Sequence, residues 1–394
     1  MRQEVIHVPN LSALAKLRPE WTRLEAQSRY HSLSVTYVYC ELAAAHSLAR
    51  GAKVHIVKIY DDDGLALLWP LFVERKGFVR VASDLRCGSG ADRGGPLVRY
   101  AAPAEVFRAA VSAIKQTKAH IFVLEWVDEE SDLYKVISGW TQPWIIRRAP
   151  KRLQATRGSD GARRYAIRFD DFPTWEDFLS TRPRSARQGH GRRLRQLLAE
   201  QKNVEFGWCK TAEDAEHVLK WLFAQKRGWA EARGIESGTL ISPDVEAFYI
   251  AMAQRADLQA TPLVTFIKVD GHPVVASLNA VGEKLIECLV IAHDHGFRRY
   301  SPGILLLHHQ AEWAFATGHE IDMLRHDADY KTQWANHMPV CRRHAIFLAP
   351  NSVTGLAAFL GLVVHKIGHL WGHGARSAIR IATARRAAAP RSGA

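Results

Sequence analysis

Residues 284–334, KLIECLVIAHDHGFRRYSPGILLLHHQAEWAFATGHEIDMLRHDADYKTQW, limit the possible folds more than any other stretch of the chain. Leu285 to Ala292 is almost wholly apolar and predicts a buried strand over 284–292. A loop with Arg298, Arg299, Tyr300, Ser301, Pro302 and Gly303 follows, then a helix from Gly303 to Thr317 that Gly318 stops. Ile321, Met323 and Leu324 predict a second short strand, and a polar turn closes the segment. A strand that returns through a helix to another strand implies a parallel crossover in a mixed sheet. The loop also leads backbone N–H donors into a helix N-terminus beside two arginines. That is an anion site, and a phosphate-bearing co-substrate is its natural occupant.

The same order of elements occurs earlier. Residues 10–50 read as helical, with Trp21, Leu24, Leu42, Ala45 and Leu48 at helical spacing. Val54–Ile59 and Leu65–Val73 flank Asp61-Asp62-Asp63-Gly64, a hairpin signal. A strand at Phe78–Ala82, a glycine-rich loop over 87–96, a helix over 104–117 and a strand over 121–124 follow. In the second half, Leu263–Val269 and Pro273–Val281 flank Asp270-Gly271, and the 284–334 segment completes the set. We read an internal duplication of one α/β (α+β) unit. The expected boundaries are a first unit over 1–150, a basic linker and start of the second over 151–185, the second unit over 186–349, and a tail over 350–394.

Charge narrows the partners. The net charge is +13 and the pI near 9.6, which favours anionic partners. Residues 147–195 hold 14 Lys/Arg against 5 Asp/Glu, and 342–394 hold eight Lys/Arg and no acid. The stretch 353–386 reads either as an amphipathic segment on an anionic membrane or as a basic tail after a packed helix. Five scattered cysteines without C-x-x-C argue against a disulfide framework or zinc site and favour a reducing cytoplasm. The start MRQEVIHVPN has no apolar signal region, and no apolar run reaches 18 residues. Six histidines (293, 295, 308, 309, 319 and 326) lie close in sequence, but no H-E-x-x-H is present and no metal is expected.

Tyr300-Ser301-Pro302-Gly303 followed by Ile304-Leu305-Leu306-Leu307, and Asp322-Met323-Leu324-Arg325 through Asp327, Tyr330-Lys331 and Trp334, resemble the acyl-CoA-binding half of the GNAT acyltransferase superfamily. The resemblance is closest to the branch of cellulose-biosynthesis acetyltransferases (CelD/BcsL-like), which shares its fold with the FemABX aminoacyl transferases. It covers about 185–335, with a weaker likeness over 20–150. It implies two tandem GNAT-like domains, each a mixed central sheet flanked by helices. It also implies acetyl-CoA or another acyl-CoA as co-substrate, and a sugar, polysaccharide precursor or small metabolite as acceptor. The alternatives are a Fem-like transferase using aminoacyl-tRNA and a catalytically silent scaffold at the membrane. The expected location is cytoplasmic, with the periphery of the inner membrane as the variant.

Site residues follow from the same resemblance. Amides of Val290 and Ala292 hold the acyl arm; Arg298, Arg299, Tyr300, Ser301, Gly303 and Ile304 form the pyrophosphate loop. Tyr330 sits where many GNAT enzymes keep the acid that protonates the leaving thiolate; the competing reading is a buried tyrosine bonding Asp327 or Lys331. Glu287 and Asp327 are the general-base candidates, with ion pairs as the alternative role. Arg325 and Lys331 are the substrate-binding candidates, Lys331 alternatively capping its turn.

Overall fold

Two tight turns set the registers of this structure, a computed structural model that describes residues 1–28, 31–77, 79–87, 94–139, 145–146, 162–201, 203–234, 241–325 and 327–348. In the first, Asp63 N–H donates to Asp61 Oδ1 at 3.0 Å and Gly64 takes φ 108°. In the second, Asp270 and Gly271 take φ 50° and 80°, the left-handed pair that matches the twist of the flanking strands.

The first half runs β1 (Arg2–Val8), α1 (Leu11–Ala15), α2 (Arg18–Ala26), a 3₁₀ turn at Leu33–Val35, α3 (Tyr37–Ala49), β2 (Lys53–Asp61), β3 (Gly64–Lys76), β4 (Val79–Asp84) and β5 (Leu97–Val98). Then come α4 (Glu105–Ala113), β6 (Ile121–Asp128), α5 (Asp132–Gly139) and the two-residue strands β7 (Ile145–Ile146), β8 (Ala162–Arg163) and β9 (Ala166–Ile167). The second half runs α6 (Trp175–Ser180), α7 (Arg184–Glu200), β10 (Val204–Trp208), α8 (Ala212–Glu231), α9 (Pro243–Ala253), β11 (Val264–Val269), β12 (His272–Val281) and β13 (Leu285–His293). A 3₁₀ turn at His295–Tyr300, α10 (Pro302–Thr317), β14 (Glu320–Asp322), α11 (Asp329–Trp334) and β15 (Val340–Phe347) complete it. Caps explain several boundaries. Thr174 Oγ1 accepts from Asp177 N–H at 3.1 Å at the start of α6. Gly318 ends α10 in the left-handed conformation at φ 68°.

Two mixed sheets result among the described residues. The first has the order β1-β2-β3-β4-β6-β15-β7, the second β10-β11-β12-β13-β14-β9. Each contains one parallel pair made through a helix: β4 with β6 across α4, and β13 with β14 across α10. The duplication read from element order is thus present in the topology, and it extends to the preceding edge strands β1 and β10. The sequence reading assigns no element before residue 10 and so leaves out β1, whose Arg2-Gln3-Glu4 start is polar and which lies at a sheet edge.

The halves trade their last strands. β15, which the sequence placed with the second unit, pairs antiparallel with β6 of the first sheet. β9, from the stretch read as a linker, pairs with β14 of the second. One hydrophobic core also crosses the seam: Trp21, Tyr37, Tyr39 and Cys40 pack in the same cluster as Leu219, Leu222, Phe223, Tyr249 and Met252. Tyr39 meets Phe248 edge-on, with ring centroids 4.9 Å apart.

Candidate active site

β13 pairs with β14 at only three positions, Leu285–Glu320, Ile286–Ile321 and Glu287–Asp322. From Cys288 onward the strand stays bonded to β12 alone among the described strands. The register against β12 also slips between Leu278 and Asn279, so Leu289 is an inserted residue. The strand therefore runs on beyond its pairing with β14, with backbone donors and acceptors along that edge that no described strand takes up. Val290 and Ala292 lie on this part, both with buried side chains.

The loop beyond β13 is more structured than its sequence suggests. It forms a 3₁₀ turn, capped by Asp294 Oδ1 accepting from Gly296 N–H at 2.7 Å. Ser301 N–H donates to Arg298 O, and Ile304 N–H to Ser301 O. Those two amides are therefore engaged, and Gly303 presents the first-turn N–H of α10 that has no intrahelical acceptor. A Cβ at 303 would meet only Ile291 Cδ1, at 3.6 Å, so the glycine leaves room in front of the helix. Ser301 takes φ 49°, a strained value for a side-chain-bearing residue that turns the chain into the helix. Arg298 is exposed. Arg299 pairs with Glu200 at 2.6 Å, and the buried Tyr300 donates to the same carboxylate at 2.7 Å. Arg299 and Tyr300 thus tie the loop to the end of α7 through their side chains.

Alternation along β13 sends successive side chains to opposite faces. Glu287 is fully buried toward α9, and its Oε2 accepts the hydroxyl proton of Ser32 from the first half of the chain. Cys288 faces the other way, into the cluster that holds Tyr330, Trp334 and Leu307. Burial, with Asp322 adding to it, pushes the Cys288 thiol up to about 12, so it stays protonated and is no nucleophile. Burial, with Cys288 adding, also pushes the Tyr330 hydroxyl up to about 12, so it keeps its proton at neutral pH. Tyr330 and Glu287 therefore flank the end of the β13–β14 pairing from opposite faces. Asp327 is exposed and accepts from Tyr165 Oη at 2.6 Å, an arrangement that anchors its turn and sets it apart from Glu287.

The turn after β14 is held by charges. Asp322 is fully buried, bonded by Arg164 at 2.6 Å and accepting from Leu324 N–H at 2.7 Å, which fixes Leu324 at φ 61°. Lys331 is buried and donates to the carbonyls of Met323 and Arg325. That is the turn-capping role named as the alternative for it. Arg325 is buried, with its guanidinium 3.4 Å from the centroid of the Trp126 ring. Arg164, read as part of an exposed linker, is fully buried. It also bonds Trp126 O at 3.4 Å, Asp128 at 3.2 Å and Cys341 Sγ at 3.3 Å. Sequence reasoning missed Arg164, Ser32, Tyr165 and Tyr249. A serine or an arginine in a polar stretch carries no local signal of burial.

His326, the 353–386 tail and most of the 87–96 loop lie outside the described residues. Among the described residues no group of three or more His, Cys, Asp or Glu is placed to hold a metal, and no helix is long and apolar enough to cross a membrane.

The parallel strand pair, the loop opening α10 and the tyrosine after β14 lie together in the second half of the chain. Residues 184–332 match the Acetyltransferase (GNAT) domain family, so the chain carries a GNAT domain and is a transferase. No curated protein matches the chain. Among solved structures, it is similar to a conserved protein of unknown function from Bacteroides thetaiotaomicron, at 10% identity and TM-score 0.53, covering 87% of this chain and 100% of that one. It is also similar to the C-terminal domain of a putative lysylphosphatidylglycerol synthetase from Agrobacterium fabrum, at 12% identity and TM-score 0.52, covering 90% and 96%. A crystal structure of FemX aligns at 11% identity and TM-score 0.48, covering 88% and 98%. At these identities the likeness is one of fold.

Proposed function

We propose that this chain is an acyl-CoA-dependent N- or O-acyltransferase of the cellulose-biosynthesis branch of the GNAT superfamily, with acetyl-CoA as its co-substrate and a sugar, polysaccharide precursor or small metabolite as acceptor. The observation that carries the reading is the early end of the β13–β14 pairing, next to the Gly303 helix start. The edge of β13 beyond it suits the amides of a pantetheine arm, and Gly303 with the exposed Arg298 suits its pyrophosphate. Glu287 accepts the proton of the attacking amine or hydroxyl as that group's lone pair bonds to the thioester carbon. The C–S bond breaks toward sulfur, and Tyr330 gives its proton to the departing thiolate.

Titration calorimetry of acetyl-CoA and CoA tests this. Saturable binding to the wild type, lost in Gly303→Trp, is expected; no binding of any CoA thioester removes the reading. Transfer from aminoacyl-tRNA is the second reading, favoured by α7, where Arg184, Arg187, Arg192 and Arg195 are exposed and no acid occurs before Glu200. Salt-dependent tRNA binding, with a slope reduced by Arg192→Gln, would select it. A peripheral membrane location through 353–386 is tested by vesicle sedimentation with and without that tail.

A further inference from the structure

The buried glutamate of the second half is held by a residue of the first, 255 positions away. Ser32 has one hydroxyl proton and two lone pairs to place. Its oxygen accepts from Ser34 N–H at 3.2 Å and from Ser34 Oγ–H at 3.0 Å. With both accepting directions filled, the Ser32 proton is directed at Glu287. A hydroxyl committed in this way donates to the carboxylate and favours its ionised form, the form a general base needs.

The backbone that carries Ser32 is fixed just as firmly. The His31 carbonyl lies so close to Gly282, in the turn before β13, that a Cβ on Gly282 would come within 2.0 Å of it. On the other side, Trp21 Nε1 donates to Val35 O at 2.9 Å. The 31–35 turn is thus clamped between α2 and the strand that carries Glu287. Ionisable groups near the glutamate include Tyr249 from α9, Cys288 on its own strand, and Asp322 from β14, which is paired with Arg164. Tyr249 is fully buried, and its hydroxyl has no hydrogen-bond partner among the described residues.

We infer that Ser32 is a positioning residue for Glu287, so that the first half of the chain completes the active site with its 31–35 turn. This rests on the reading of Glu287 as the base. It gives the first half a part in the chemistry, where duplication alone would leave it a wall.

The test uses the full chain labelled with ¹³C at glutamate side-chain carboxyls, with the Glu287 resonance identified by its loss in Glu287→Gln. Ser32→Ala is expected to move the titration of that resonance to higher pH, and Ser32→Thr to restore it. Turnover below neutrality is expected to fall roughly tenfold or more in Ser32→Ala, with KM for the acyl-CoA unchanged, as for one lost hydrogen bond to a charge. Should Ser32→Ala fail to fold, Ser34→Ala removes the hydroxyl donor to the Ser32 oxygen while keeping the backbone N–H, opens one accepting direction toward which the Ser32 hydroxyl can turn, and is expected to shift the resonance the same way, by less. Superimposable titrations in the wild type and these variants would overturn the inference. Calorimetry with acetyl-CoA on the same samples keeps the two ideas apart. An unmoved titration with intact CoA binding defeats the positioning role alone, whereas absent CoA binding defeats the acyltransferase reading whatever Ser32 does.

Discussion

Removing the Arg164 guanidinium should unfold the seam between the halves. Arg164 is fully buried and meets two carboxylates, Asp322 at 2.6 Å and Asp128 at 3.2 Å, as well as the Trp126 carbonyl. Arg164→Met keeps much of the volume but leaves the buried Asp322 without its cation. Breaking a buried pair by removing one partner typically costs about 3–5 kcal/mol, because the desolvated charge remains. Such a loss is a large fraction of a typical folding stability of about 5–15 kcal/mol. Urea unfolding of both proteins, followed by fluorescence and by far-ultraviolet dichroism, measures it. The midpoint should fall by more than 1 M, taking a slope of about 2 kcal/mol per molar. The pair Arg164→Met/Asp322→Leu should recover part of the loss, since two matched apolar groups need no counter-charge. A single variant within about 1 kcal/mol of the wild type would refute the reasoning, for it would mean that water or backbone dipoles solvate Asp322 as well as the arginine does.

Three further outcomes are expected. Tyr330→Phe should lower turnover about 100-fold in a steady-state assay while leaving CoA binding by calorimetry unchanged, because a positioned proton donor acts mainly in the transition state. Burial, with His190 and His309 adding to it, holds His308 down to about 3, so its neutral form belongs to the fold. The stability this provides is complete above the ordinary histidine value of 6.5 and is lost as pH falls toward 3; urea midpoints between pH 7 and 4 should decline less steeply in His308→Gln than in the wild type. Gly282→Ala should destabilise by about 2 kcal/mol or more in thermal melts, since its Cβ would strike the His31 carbonyl and push the Ser32 turn outward.

Much of this arrangement was legible in the sequence because it is written in local chemistry. Asp-Gly turns, apolar runs of strand length and the Gly318 stop gave both hairpins, both crossovers and their repetition, since each depends on residues close in the chain. The β13–α10–β14 frame of the site was readable for the same reason. What stayed hidden depends on partners far apart. Nothing around Arg164 announces that Asp322 lies against it, and Ser32 looks like any serine in a polar turn until Glu287 is seen opposite. Arg299 and Tyr300 carry a further long-range partner that their sequence does not announce: both side chains meet Glu200 at the end of α7.

The placement of β15 has a consequence for how the protein is made. The edge of β6 is covered by a strand that leaves the ribosome about 210 residues later, on the order of 10–40 s at ordinary rates of synthesis. Throughout that interval the nascent first sheet carries a row of unpaired backbone groups beside Phe122 and Leu124, the kind of edge on which foreign strands add. The first sheet is therefore completed only after β15 has been made, a long-range closure of the kind that slows folding.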